Sequence, residues 1–267
     1  MAVHSAEPIV TTFSLATNSS CNMHIAHGGD VLVRDKFITD LNNGKWDNES
    51  LDPYCSEFVS LVKGASRPVA DLGVGNGFTT KKLLEAGVRV IANDLKPERL
   101  DEISRSLSAE ERGRLTLAPG DALQLVIPSA SLGGILATRW INVLRPYECR
   151  LLMNDFYRWL APGGILCITA HTPYSNTTKE AVDLYLRRKY IGDEWPGVVT
   201  EDMLQESRRG KLWSNDWIYG YDPDILAREA ILAGFRVKKC SFYGTRYVST
   251  DEFADDACNL VGIIARK

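Results

Sequence analysis

One stretch constrains this chain more than any other: Val69-Ala70-Asp71-Leu72-Gly73-Val74-Gly75-Asn76-Gly77-Phe78, followed by Val90-Ile91-Ala92-Asn93-Asp94. The first part reads as a buried strand entering a glycine turn, and the second as another buried strand that ends in a carboxylate. Glycines adopt φ > 0 and let a backbone come close to a ligand. A carboxylate at the tip of the neighbouring strand, roughly 20 residues after the turn, is placed to bind the ribose hydroxyls of a nucleotide. The spacing Gly73-x-Gly75-x-Gly77 differs from the G-x-G-x-x-G of dinucleotide folds, and no Lys-Ser or Lys-Thr pair follows it, which excludes a P-loop.

With Asp71 in the strand ahead of the glycines, these residues resemble the class I S-adenosylmethionine (SAM)-dependent methyltransferases. The first motif of that family reads roughly E/D-x-G-x-G-x-G, and its second strand ends in an acidic residue. Val74 departs from the Cys or Ser of many relatives, at a position that offers backbone to the ligand, so little consequence is expected. The resemblance implies that Gly73, Gly75 and Gly77 pack under the methionine part of SAM, with Asp71 and Val74 in the same motif. It implies that Asp94 binds the ribose and that Leu95 lies against the adenine. It also implies that Asp121 accepts from the adenine amino group while Ala122 offers its backbone N–H. Thr138, Arg139 and Trp140, just after the fourth strand of the domain, are expected beside the transferred methyl.

A chain of 267 residues suffices for one large α/β domain with embellishments or two small ones, and 45% hydrophobic residues support a core. The net charge of −3, with mixed signs along the chain, provides no basic stripe, so duplex nucleic acid is not an expected partner. Cysteines at 21, 55, 149, 167, 240 and 258 form no C-x-x-C pair, which suits free thiols in a reducing compartment. No apolar run reaches the ~18 residues of a membrane span, and no basic segment leads into an apolar one as in a signal peptide. A cytoplasmic protein without membrane contact is expected. Cys21, His24 and His27 lack a partner pair at metal-ligand spacing, so no metal is expected.

Residues 1–65 read as an extension or lid, with a polar stretch to about 30 and two helices in 31–66, the second near Asp52 to Lys63. From 66 to 267 the pattern is that of the SAM-binding domain. Strands at Val69–Leu72, Val88–Asn93, Leu115–Leu117, Leu132–Ala137 and Ile165–Ala170 alternate with helices, one of them capped by Thr79 or Thr80. Apolar strands between amphipathic helices indicate a parallel sheet covered on both faces. Two later strands, Phe235–Phe242 and Asn259–Ala265, follow a helix opened by Pro223. The resemblance implies that they complete a doubly wound, seven-stranded, mostly parallel α/β sheet with an antiparallel C-terminal strand. Residues 172–219 are an insertion after the fifth strand, expected to be a helical substrate cap with a helix over Thr178–Lys189 and another capped by Thr200.

Methyl transfer from a sulfonium is a displacement, so the protein mainly aligns the reactants and excludes water. A base is needed only if the nucleophile must lose a proton. His171, at the end of the fifth strand, is the candidate base, since an unperturbed pKa of about 6.5 suits the task; a packing or hydrogen-bonding role competes with it. Arg139 is a candidate in the reaction, with a structural ion pair as the competing role. Tyr174 is a candidate to orient the acceptor. Trp140, Trp195, Trp213 and Trp217 are candidates to line its pocket. No Asn-Pro-Pro-Tyr or Asp-Pro-Pro-Tyr follows the fourth strand, and no Pro-Cys nucleophile stands where cytosine-C5 enzymes carry one. These features favour a SAM-dependent methyltransferase acting at O or N of a small molecule. The alternatives are a protein or RNA acceptor, or a SAM-binding regulatory protein without catalysis. An NAD-dependent dehydrogenase fails on the glycine spacing and leaves Asp121 without a role. The acceptor and the oligomeric state are not set by these residues.

Overall fold

A computed structural model of the chain describes residues 10–15, 21–26, 51–174, 181–200, 203, 217–244 and 258–267. Its strands are β1 Val10–Leu15, β2 Cys21–Ala26, β3 Val69–Leu72, β4 Val90–Asp94, β5 Leu115–Pro119, β6 Leu125–Val126, β7 Leu132–Thr138, β8 Leu160–His171, β9 Val198–Thr200, β10 Trp217–Tyr219, β11 Arg236–Tyr243 and β12 Leu260–Arg266. Its helices are α1 Pro53–Val62, α2 Phe78–Glu85, α3 Pro97–Ser106, α4 Ala109–Arg112, α5 Pro146–Trp159, α6 Val182–Tyr190 and α7 Pro223–Leu232.

Seven strands form one sheet in the order β11-β12-β8-β7-β3-β4-β5. Pairing is parallel from β8 through β5, while β12 runs antiparallel to both β8 and β11. Only β12 therefore opposes the rest, as expected for a doubly wound sheet closed by an antiparallel C-terminal strand.

The central strands are mostly apolar because both faces are covered. Val69, Val90, Ala92, Leu136, Cys167 and Ile264 pack with Phe58, Leu83 and Leu100 of α1, α2 and α3. Their neighbours Ala70, Leu72, Ile91, Ile135, Leu166 and Ile263 face Leu152, Phe156 and Leu226 of α5 and α7. Each fully buried Leu, Ile or Phe of these layers contributes about 1.5–3 kcal/mol. Asp52 and Asp222 start α1 and α7 by accepting backbone N–H bonds, each just before a proline whose fixed φ suits the first helical turn.

Three elements differ from expectation. Helix α2 starts at Phe78 with Gly77 as its N-cap, not at Thr79 or Thr80. The Thr80 hydroxyl donates instead to Asp71 Oδ2 at 2.6 Å, because a buried carboxylate needs a donor more than an exposed helix end does. The N-terminal stretch to about residue 30, read as a polar extension or lid, contains an antiparallel pair, β1 with β2, and β2 also pairs with β6. Its segment Val10-Thr11-Thr12-Phe13 is β-branched and aromatic throughout, which favours a strand. The first of the two helices expected in 31–66 falls largely outside the described residues. In the insertion, α6 lies close to its expected place, but Thr200 ends β9 and pairs with Trp217 of β10 instead of capping a helix. The run Val198-Val199-Thr200 is β-branched throughout, which favours a strand.

Candidate active site

Side chains alternate between faces along a strand, and directly paired residues share a face. Asp71 pairs with Ala92 and Leu136, Thr138 with Thr169, and Leu260 with both His171 and Tyr243. The register therefore brings Asp94, Asp71, Thr138, Thr169, His171 and Tyr243 to one face at the carboxyl ends of the strands. In open α/β sheets this edge is where ligands bind. The N-terminal turn of α1 covers the β8–β12 end of the row. The Tyr54 ring fills the space beside Gly262, and its hydroxyl meets Ser241 Oγ at 2.7 Å.

At the other end the glycine loop joins β3 to α2. Gly73, Gly75 and Gly77 all have positive φ, at +70°, +56° and +75°. Their surroundings differ. A Cβ on Gly73 would lie 2.6 Å from Trp140 Cδ1, and one on Gly77 would run into Ile103, whereas a Cβ on Gly75 meets nothing within 4 Å. A side chain at Gly73 or Gly77 would meet protein atoms, whereas Gly75 borders open space. Val74 is buried in the layer under α2 and α3, and its backbone N–H donates to Asn93 O at 3.0 Å.

Asp94 closes this space on the β4 side. Its carboxylate accepts from Gly75 N at 3.1 Å and Lys96 N at 3.0 Å, and Arg99 lies 3.7 Å away. Burial raises the pKa of Asp94 above its ordinary value, against the lowering effect of these donors. Leu95 follows, half-buried. Gly120 N donates to Asp94 O at 2.9 Å, which brings Asp121 and Ala122 to the same rim; Asp121 accepts from Leu123 N at 3.0 Å and Ala122 is buried.

Sequence reasoning passed over Asn93, whose buried amide donates to Ala118 O and Gly120 O at 2.8 Å each and so ties the β5 turn to β4. It also passed over Asn142. That amide donates to His171 O at 2.9 Å and Tyr219 O at 2.6 Å and accepts from His171 N at 3.0 Å, which pins the end of β8. The only signal was a lone Asn inside an apolar run, as in Val90-Ile91-Ala92-Asn93 and Trp140-Ile141-Asn142-Val143.

Asp71 is buried, and its pKa is raised from 3.8 to about 6, chiefly by burial; nearby Asp94 adds to this and the Thr80 hydroxyl opposes it. Its Oδ1 has no hydrogen-bond partner, and neither has the buried indole N–H of Trp140 that lies on Gly73. His171 is pushed down from 6.5 to about 3, by burial first and then by the charge of Arg139. Its imidazole is neutral at neutral pH and holds a proton poorly, which corrects the expectation of an ordinary histidine base. Arg139 has φ 58°, an unusual conformation for a residue with a side chain, and its backbone N–H donates to Thr169 O at 2.7 Å.

Two of the other acceptor-side candidates, Tyr174 and Trp195, have their ring contacts elsewhere. Tyr174 packs edge-on against Tyr185 and Phe242, and Phe242 belongs to the layer over the opposite sheet face. Trp195 stacks edge-on against Tyr219 and is flanked by the guanidiniums of Arg150 and Arg228, on α5 and α7. Cation–π contact and apolar packing account for it as a joint between the insertion and these helices. The backbone of Trp217 pairs within β10, and Trp213 lies outside the described residues.

Residues 69–164 match the family model of a methyltransferase domain. Over 102 residues the chain is 34% identical to the Probable ribosomal RNA small subunit methyltransferase A of Methanospirillum hungatei, which covers 38% of this chain and 39% of that relative. The chain thus spans about two-fifths of that relative's length. Among solved structures, a SAM-dependent methyltransferase from Methanosarcina mazei superposes with a TM-score of 0.58 at 16% identity, covering 82% of this chain and 98% of the other. The glycopeptide N-methyltransferase MtfA, complexed with S-adenosyl-L-homocysteine, superposes with a TM-score of 0.53 at 19% identity, covering 79% and 87%. At these identities the structural likeness is one of fold.

Proposed function

We propose that this chain, whose residues 69–164 are a methyltransferase domain of the class I Rossmann-like type, binds SAM at the β3–β4 edge and transfers its methyl group to O or N of a small molecule. One observation carries the reading: a carboxylate at the tip of β4 holds the Gly75 N–H beside open space. The residues fit SAM at several points. Asp94 is placed for the ribose hydroxyls, and Leu95, Asp121 and Ala122 for the adenine. The unpartnered Asp71 Oδ1 suits an ammonium group and the unpartnered Trp140 N–H a carboxylate, and the methionine part of SAM carries both. When bound, SAM supplies a methyl group activated by a sulfonium.

The chain's own part is alignment. Asp94 and the glycine loop set the position of the cofactor. Asn142 and the Arg139 backbone fix the ends of β7 and β8, where Thr138 and His171 stand. Neutral His171 is suited to accept a hydrogen bond from the acceptor rather than to take its proton. Calorimetric titration with SAM, with NAD as the control, tests the cofactor: SAM binding without NAD binding is the expected result, and no SAM binding by a folded sample overturns it.

The similarity to a ribosomal RNA methyltransferase over 102 residues favours a second reading, an RNA acceptor. It predicts transfer to RNA whose affinity falls steeply with salt. The acidic balance of the chain and the absence of a basic stripe favour the small molecule. No helix among the described residues is long and apolar enough to cross a membrane.

A further inference from the structure

In the parallel part of the sheet, α2 links β3 to β4, α3 and α4 link β4 to β5, and α5 links β7 to β8. The connection from β5 to β7 has no α-helix: Gly120 leads into a 3-10 turn, Ala122–Gln124, then into β6, and Leu132 begins β7. A parallel crossover usually lays a helix over the sheet. The helix-free connection is the one that carries Asp121 and Ala122, the rim on which the cofactor reading places adenine. Asp121 starts the turn by accepting from Leu123 N at 3.0 Å, and Leu125 N closes it on Ala122 O. Leu125 and Ile127 are buried in the core, while Val126 between them stays exposed.

The N-terminal strands complete this connection. β1, β2 and β6 form a three-stranded sheet with β2 in the middle. β2 is antiparallel to β6, with Ile25 opposite Leu125 and His24 opposite Val126. Carried one step on, that register sets Ala26, the last residue of β2, level with Gln124 at the end of the turn. β2 therefore runs towards the adenine rim. Neither partner stands alone. Two strands by themselves are marginally stable in water, and β1–β2 gains its third from β6. β6 is only Leu125–Val126, and among the described residues its ladder neighbour is β2. A ligand that holds the turn thus holds β6 in place for β2, and docked β2 holds the turn for the ligand. Such coupling is reciprocal.

We propose that β1–β2 is a strap at the adenine end of the cofactor site, which docks on β6, holds the turn that carries Asp121 and Ala122, and slows the escape of SAM and S-adenosylhomocysteine. This rests on the cofactor reading above and extends it to the N-terminal strands. The contact is a backbone ladder, so the strap acts through the position of the turn. Its reach is limited to the adenosine: Asp71, assigned to the amino-acid end of the cofactor, lies on β3, with β4 between it and β5.

The test is calorimetry and stopped-flow dissociation on the full chain and on Ile25→Pro. The probes are S-adenosylhomocysteine and 5′-methylthioadenosine, which keeps the adenosine but lacks the amino-acid end. A proline in the middle strand of a sheet removes a ladder N–H and is not accommodated there. Ile25→Pro is expected to bind both probes about tenfold more weakly, mainly through faster dissociation, with its unfolding midpoint without ligand unchanged. Unchanged affinity overturns the proposal, and so does a loss confined to S-adenosylhomocysteine, which would put the effect at the amino-acid end. A fall in the midpoint of the ligand-free variant also overturns it, since β2 would then be part of the domain's frame. Amide exchange on the unaltered protein needs no variant. S-adenosylhomocysteine is expected to slow exchange at 22–26 and 125–126 together; protection at 120–123 with none at 22–26 overturns the strap. Failure of S-adenosylhomocysteine to bind the unaltered protein would instead overturn the cofactor reading.

Discussion

Gly75 and Gly77 share a left-handed conformation but not a neighbourhood, and this separates binding from folding at the residue scale. A Cβ on Gly77 runs into Ile103 in the layer under α2 and α3, so Gly77→Ala is expected to lower stability by about 1–3 kcal/mol, read by thermal or urea unfolding. Gly75→Val places its side chain in open space, so beyond the cost of its φ the expected loss is of SAM affinity, read by calorimetry. Asp94→Ala removes a charged acceptor and is expected to weaken SAM binding about 10–100-fold; unchanged affinity would refute the ribose assignment. Asp71 makes a prediction in pH. Its folded pKa of about 6 exceeds the ordinary 3.8, so the folded state binds the extra proton. The stability it contributes is present below about pH 4 and is lost as pH rises through 6, by about 3 kcal/mol in all. Asp71→Asn should abolish that part of the pH dependence in unfolding curves measured at pH 4, 5, 6 and 7.

At the scale of elements, the insertion is fastened to the sheet's helices by charge. Arg150 of α5 holds the fully buried Glu229 of α7 at 2.8 Å and also Glu194 at 2.7 Å, while Arg228 holds Glu229 from the other side. Lys189 and Tyr185 of α6 both bond Asp222, the cap of α7. Arg150→Ala leaves a buried carboxylate with one partner and strips a cation from Trp195. A loss of about 1–3 kcal/mol is expected, since Arg228 still compensates part of the charge, and differential scanning calorimetry reads it. If Arg150→Ala also leaves SAM affinity unchanged, the assignment of Trp195 to a joint rather than a pocket stands. Helix positions were legible in the sequence where a cap and a proline coincided, as at Asp52-Pro53 and Asp222-Pro223. Strands β9 and β10 were not, since three residues carry too little periodicity to outweigh a threonine that resembles a cap.

The whole molecule is a sheet whose two faces do different work at one edge. One face carries Asp94, Asp71, Thr138, Thr169, His171 and Tyr243 in a row, and the other is sealed by α5, α7 and the insertion. Amide exchange with and without SAM should therefore slow at 73–77, 94–96 and 120–123, with no change along α5 and α7; protection spread evenly over both faces would contradict the layout. The sequence by itself determined the alternation of strands and helices, the glycine turn and the carboxylate at the tip of the next strand. Those depend on local patterns, namely strand period, glycine spacing and a carboxylate at a strand tip, each read within a few residues. Only the tertiary structure decided which glycine borders open space, which aromatics face the site, and that His171 stays neutral. Those properties depend on groups far apart in the chain: Trp140 on Gly73, Arg150 and Arg228 about Trp195, and burial with Arg139 beside His171. Cross-strand pairing decides which residues become neighbours, and burial decides what a charge costs there; neither is written in the order of residues along the chain.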